Sequence, residues 1–226
     1  MRFGVDYAWG DPGVKALEKA GVTFVCRYLS YPGNGKNLRP DEAARLLRAG
    51  IDIVTVFETT TARALSGFDG GAHDAFSANQ QLLALGAPPG APVYFAVDFD
   101  AAPYEQPHID RYLQGAAKVL GLDRVGVYGG YWVVKRCFDS GVVKYGWQTY
   151  AWSGGRWEPR AQLQQYSNGH RLNGVPVDYD RAVADDFGQW PRVKRRRSRR
   201  PLPGPARKPS WFWAALREFL RRRAQP

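Results

Sequence analysis

The feature that most restricts what this chain can fold into is an alternation of short apolar, β-branched runs with helical stretches, repeated through five units from Arg2 to Phe138. Parallel strands need a crossover of a dozen or more residues, usually a helix, so a persistent strand–helix alternation predicts a parallel sheet wrapped by helices. Strands are expected at 2–7, 22–28, 51–57, 92–100, 124–128, 145–152, 162–166 and 176–180. Helices are expected from Asp11, as N-cap, through Ala20, then over 40–49, 73–85 and 107–120, with a short one ending near Phe138. Gly67 to Gly71 reads as punctuation, and no convincing helix lies between strands six and seven. Eight strands at a length of 226 residues suggest closure into an α/β barrel of the TIM type with its later helices reduced. The doubly wound alternative is weaker, because the first strand-to-helix turn has no Gly-rich phosphate-binding fingerprint.

The strand at 92–100, Pro-Val-Tyr-Phe-Ala-Val-Asp-Phe-Asp, ends in two carboxylates one residue apart. If the strand runs to its end, Asp98 and Asp100 share a face with Cα atoms about 6–7 Å apart. The same pattern recurs elsewhere: Asp6 closes strand one, Glu58 follows strand three, and Asp178 with Asp180 close strand eight. In a barrel, strand C-termini form the mouth where chemistry is kept, so these six acids predict one acidic pocket. Crowded carboxyls spread their pKa values, which is what glycoside hydrolysis requires: one protonated acid and one ionised partner. Tyr7, Tyr28, Tyr94, Phe99, Tyr128, Tyr131, Trp147, Trp152 and Tyr166 lie within or near the same strand ends. Of these, Tyr7, Tyr128, Trp147 and Tyr166 are the candidate sugar platforms, with Asp180 as a further substrate contact or a helix cap. Arg27, in strand two, would neutralise the acids.

Charge divides the chain. Residues 191–226 hold thirteen of the 32 basic residues and one of the 21 acids, leaving 19 basic and 20 acidic residues in 1–190. The net charge of +11 therefore belongs to the tail. Residues 191–210 read as a basic, Pro-rich linker, and 211–226 as a basic amphipathic helix suited to an anionic membrane surface or to docking on the barrel. A specific nucleic-acid role would rest on charge alone, without a recognised module. The two cysteines, Cys26 and Cys137, sit in apolar contexts and are expected as buried thiols; three scattered His predict no zinc site, and no cofactor is expected. No stretch is apolar enough to span a membrane, and Met1 runs directly into a strand without a signal peptide, so the chain is expected in the cytoplasm on synthesis.

Gly4-Val5-Asp6-Tyr7, Phe95-Ala96-Val97-Asp98-Phe99-Asp100, Gly126-Val127-Tyr128-Gly129, Trp147-Gln148-Thr149-Tyr150-Ala151-Trp152 and Leu163-Gln164-Gln165-Tyr166-Ser167, followed by Val177-Asp178-Tyr179-Asp180, form an ordered series over about residues 2–187. This series resembles the glycoside-hydrolase-like domain-of-unknown-function family 1906, which is similar in layout to the family 25 lysozymes. The resemblance implies a barrel acting on cell-wall glycan, with action at the wall, as in a lysin. By position it makes Asp6 the first-strand aspartate, Asp98 the first acid of the family 25 Asp-x-Glu, and Asp178 the last-strand aspartate. Asp100 stands where those lysozymes carry glutamate, one methylene longer. The roles that follow are Asp100 as general acid with Glu58 as its rival, Asp98 as ionised partner, and Asp6 and Asp178 as setters of pKa. The competing class is a wall-binding protein on a barrel that no longer catalyses, with the tail as anchor.

Overall fold

The computed structural model describes residues 1–190, so the expected linker at 191–210 and helix at 211–226 lie outside the described residues. Eight strands close into a barrel in chain order, β1 to β8. They are β1 (Arg2–Asp6), β2 (Phe24–Leu29), β3 (Asp52–Phe57), β4 (Val93–Ala96), β5 (Val125–Gly129), β6 (Tyr145–Thr149), β7 (Leu163–Leu172) and β8 (Val175–Ala182). Helices α1 (Val14–Lys19), α2 (Pro40–Ala49), α3 (Gly67–Ala84), α4 (Gln106–Leu120) and α5 (Tyr131–Asp139) follow the first five strands. Among the described residues no helix separates β6, β7 and β8.

Alternation along the strands sorts the side chains into two cores. Phe24, Cys26, Val54, Val56, Tyr94, Trp147 and Leu163 fill the barrel interior, while Val5, Val25, Ile53, Phe95 and Val127 face outward onto Leu17, Leu46, Leu82, Ile109 and Val134. Phe187, beyond β8, plugs the bottom: its ring lies 4.9 Å from Phe24, and its carbonyl accepts the Tyr94 hydroxyl at 2.8 Å. Cys26 and Cys137 are free and buried.

Four expectations are corrected. β8 does not run with the others: it pairs antiparallel with both β7 and β1, setting Asp6 opposite Asp178 and Gly4 opposite Asp180. The cause is a two-residue hairpin at Asn173-Gly174, whose φ values of 48° and 80° are those a tight β-turn of this kind needs. Asp178 therefore reaches the mouth from the first half of its strand, and Asp180 lies two residues deeper in the barrel. Second, Gly67 to Gly71 is helix, not punctuation. A Cβ at Gly71 would intrude on the carbonyl of Tyr112, and one at Gly115 on that of Phe68, so these glycines let α3 and α4 pack backbone to backbone. Third, α1 begins at Val14, and Asp11 accepts the Gly13 N–H at 2.9 Å ahead of it instead of capping the helix. Fourth, Arg27 points away from the barrel interior: its guanidinium meets Glu42 of α2 at 2.7 Å and the Tyr7 carbonyl at 2.5 Å, both fully buried.

Adding one methyl at the α3–α4 contact should be felt as overpacking. Gly71→Ala is expected to lower the unfolding free energy by about 2 kcal/mol, read as a lower urea midpoint with an unchanged slope.

Candidate active site

β4 ends at Ala96, two residues before the first of its acids. Asp98 turns into the mouth, where it is half-buried. Burial and the charge of Glu58 push it up to about 6, against a smaller opposing effect of Lys36. Glu58, just past β3, is held at 2.6 Å by the Lys36 ammonium, which arrives from the loop after β2. That ammonium also lies 5.1 Å over the Tyr28 ring, and the Tyr28 hydroxyl donates to Asp6 Oδ1 at 3.2 Å.

Asp6 anchors the other side. Gln165 of β7 donates from Nε2 to Asp6 Oδ2 at 2.8 Å and to Asp178 Oδ2 at 3.2 Å, while its Oε1 accepts the Tyr128 hydroxyl at 2.9 Å. The reversed amide would aim its oxygen at two carboxylates, so this orientation follows from the network. Asp178 also accepts the Gly169 N–H at 2.9 Å. Burial foremost raises its pKa, that N–H opposing. Burial and then Asp178 push Asp6 up to about 7. Below it, Asp180 is wholly buried, accepts the Trp147 indole N–H at 2.8 Å through Oδ1, and has no donor within hydrogen-bond distance of Oδ2. Burial and the neighbouring Asp6 charge hold Asp180 well above the usual carboxylate range. The account that satisfies Oδ2 is a protonated Asp180 donating to Asp6, one proton shared between two carboxyls that cannot both ionise.

Glu58, Asp98, Tyr128, Gln165, Asp178, Asp6 and Tyr28 thus form a polar ring fed by β3, β4, β5, β7, β8, β1 and β2. On the β1–β8 side it opens into a cavity of about 190 Å³ lined by Asp6, Trp9, Tyr28, Gly169 and Asp178. Among the described residues, no group of three or more His, Cys, Asp or Glu is arranged to hold a metal ion.

Asp100 does not join this ring. With the strand over at Ala96, the alternation that would carry it to the Asp98 face lapses, and Asp100 is exposed at a separate cavity with Trp132, Trp152 and Arg156. The charge acting on Asp98 is that of Glu58. The aromatic platforms divide likewise. Tyr128 is half-buried at the mouth, but Trp147 is 1% exposed inside the barrel, and Tyr7, also 1% exposed, lines the cavity beside Asp6 while its hydroxyl bonds Glu42 behind β1. Tyr166 turns to the outer face, its ring 5.3 Å from the Arg181 guanidinium. Asp180 lies within β8 and caps no helix. Two members of the ring, Tyr28 and Gln165, and the Lys36 that holds Glu58, are absent from the sequence-derived site. Gln165 stands in a quoted motif and Tyr28 at a strand end, whereas Lys36, in a Gly- and Asn-rich loop, carries no local signal.

The chain matches the Rv2525c-like, glycoside hydrolase-like domain family over residues 15–184. It is 32% identical over 200 residues to Rv2525c of Mycobacterium tuberculosis, provisionally named a peptidoglycan hydrolase, covering 82% of each chain. The crystal structure of that Tat-secreted protein with L-tartrate superposes with a TM-score of 0.79 at 29% identity, over 84% of this chain and 99% of the other. Two Streptococcus pneumoniae proteins share the fold at lower identity. GHIP, a glycosyl hydrolase 25, has a TM-score of 0.58 at 13% identity, over 83% of this chain and 89% of that one. The autolysin LytC, solved with a synthetic peptidoglycan ligand, has 0.59 at 16%, over 79% of this chain and 46% of that one.

A buried acid with a raised folded pKa holds its proton more tightly folded than unfolded. Its contribution is full below the unfolded value near 3.8 and is lost as pH rises through the folded value. Asp180→Asn keeps an N–H for Asp6 and an acceptor for Trp147 but has no proton to lose. Its unfolding free energy should match the parent within about 1 kcal/mol near pH 4 and exceed it by a growing margin as pH rises from there, read by denaturant melts across pH.

Proposed function

The chain belongs to the Rv2525c-like, glycoside hydrolase-like family, and from that premise we propose that it hydrolyses a glycosidic bond of bacterial cell-wall glycan at the barrel mouth. The observation that carries this reading is Asp98, held up to about 6 by burial and Glu58 in a mouth it shares with Asp6 and Asp178. Near pH 5–6 Asp98 keeps its proton in a substantial fraction of molecules and can deliver it to the leaving oxygen. Across the ring, Asp178, clamped to Asp6 by Gln165 and held by the Gly169 N–H, is the carboxylate that presents negative charge to an oxocarbenium-like transition state, while Asp6 shares a proton with Asp180 below. Tyr128 offers a half-buried face beside both. The name of Rv2525c as a peptidoglycan hydrolase supports the wall as the substrate source.

General acid duty thus moves from Asp100 and Glu58 to Asp98, with Glu58 raising the pKa of Asp98 and Lys36 holding Glu58 in place. A second reading, a wall-binding barrel without hydrolysis, draws on one observation: Asp100 occupies the sequence position of the family 25 glutamate yet stands outside the ring.

Release of muropeptides from purified walls separates the two. Asp98→Asn is expected to lower turnover by about a hundredfold or more, with Asp100→Asn losing at most about tenfold. Wild-type protein that binds wall and releases nothing would leave the binding reading. The rate should fall with a basic limb near pH 6 as Asp98 ionises. Glu58→Gln removes the charge that raises Asp98, so this limb should move to lower pH in a kcat/KM profile.

A further inference from the structure

A second cavity, of about 420 Å³, is lined by Asp100, Trp132, Trp152, Ser153, Gly154 and Arg156, within the roughly 300–1,000 Å³ of ligand pockets. These residues follow β4, β5 and β6, so the cavity opens on the mouth face of the barrel. The cavity beside Asp6 belongs to β1, β2 and β8, half a turn away in the strand order. Asp98 lies between the two.

Its lining is built rather than incidental. Trp132 is 42% exposed and Trp152 39%, two large flat faces left open to solvent in one cleft. Trp152 also holds a left-handed backbone, φ 53°, which costs a bulky residue of order 1 kcal/mol or more. That conformation is locked from below. Ser153 Oγ accepts the Tyr131 N–H at 2.9 Å and donates to the Thr149 carbonyl at 2.6 Å. The buried Gln148 amide bonds the Arg156 carbonyl and the Glu158 N–H, each at 2.7 Å. Above this frame, the Arg156 guanidinium lies 5.2 Å from the Trp132 ring and 5.8 Å from that of Tyr131. Among the described residues it has no ion pair, nor has Asp100, although the two opposite charges line one cavity. Arg156 therefore keeps its N–H fork for an acidic group, and Asp100 keeps its oxygens for hydroxyl or amide donors.

We propose that Asp100, Trp132, Trp152 and Arg156 form a second carbohydrate subsite, one that takes a carboxylate-bearing amino-sugar unit remote from the reacting bond. The Trp faces stack on the pyranose, Arg156 takes the carboxylate, and Asp100 accepts from ring substituents. This rests on the glycan reading of the mouth and narrows it: the substrate is an acidic glycan chain long enough to cross from one cavity to the other.

The test uses the full chain carrying Asp98→Asn, so that ligand stays intact, with two probes: a peptide-free tetrasaccharide alternating N-acetylglucosamine and N-acetylmuramic acid, and chitotetraose, which lacks carboxylates. Indole N–H resonances of Trp132 and Trp152, assigned through Trp132→Phe and Trp152→Phe, report this cavity; the Gln165 side-chain amide reports the mouth. Both indoles should shift with the acidic probe at about tenfold lower concentration than with chitotetraose, and Arg156→Gln should abolish that preference. Indoles unmoved by the acidic probe, or equal affinities for the two probes, would overturn the subsite, whatever the Gln165 amide does. Failure of wild-type protein to cut walls, with the indole shifts intact, would count against the mouth chemistry and support this subsite on its own.

Discussion

Closure of the barrel between β1 and β8 is the constraint on which the rest of the molecule depends. β8 returns antiparallel from a two-residue turn and must lie against β1 in one register, with Asp6 opposite Asp178 and Gly4 opposite Asp180. A slip of one residue would send both β8 acids to the outer face and Tyr179 into the interior. The register is held by the Trp147 indole on Asp180 and by Gln165, which meets Asp6 and Asp178 together. A polar network buried this deeply specifies a unique arrangement because any other leaves its members unsatisfied.

The same closure sets the electrostatics. Buried acids outside the barrel interior are neutralised by fixed cations: Glu42 by Arg27, and Asp74 by Arg63 with two tyrosine hydroxyls. Inside the mouth, Lys36 is the cation within ion-pair distance of a ring carboxylate among the described residues, and it serves Glu58. Asp6, Asp98, Asp178 and Asp180 are left to share protons instead, which raises all four. Buried structural charges are paired, and those at the mouth, Glu58 apart, are not. That division is what an acid catalyst needs, because a paired carboxylate has no proton to give.

Much of this was legible in the chain. The strand–helix alternation announced the barrel, the missing helices after Phe138 were visible as a loss of period, and Asp6, Glu58 and Asp98 could be placed at one rim from their positions at strand ends. The errors have physical causes. Asn173-Gly174 between two β-prone runs is a hairpin signal, but with β8 assumed parallel its acids were assigned to the wrong end of the strand. The Gly67–Gly71 segment looked like a break because glycine opposes helix locally, whereas the contact between α3 and α4 rewards it. Trp147 and Tyr7 lie in the same stretches as the mouth residues, and only their neighbours reveal that one fills the interior and the other braces α2.

The sequence by itself determined the architecture and the residue types at the mouth, because periodicity and strand-end position are properties of the local chain. What tertiary structure decided is which carboxyl keeps a proton. At positions 98 and 100 the two aspartates are chemically identical, and nothing local distinguishes them. One lies buried beside Glu58 and the other lies in solvent by two tryptophans, because β4 stops at Ala96 and the backbone beyond it is steered by packing rather than by pleat. A carboxyl's proton affinity is set by burial and by charges brought from distant strands, and those exist only once the barrel has closed.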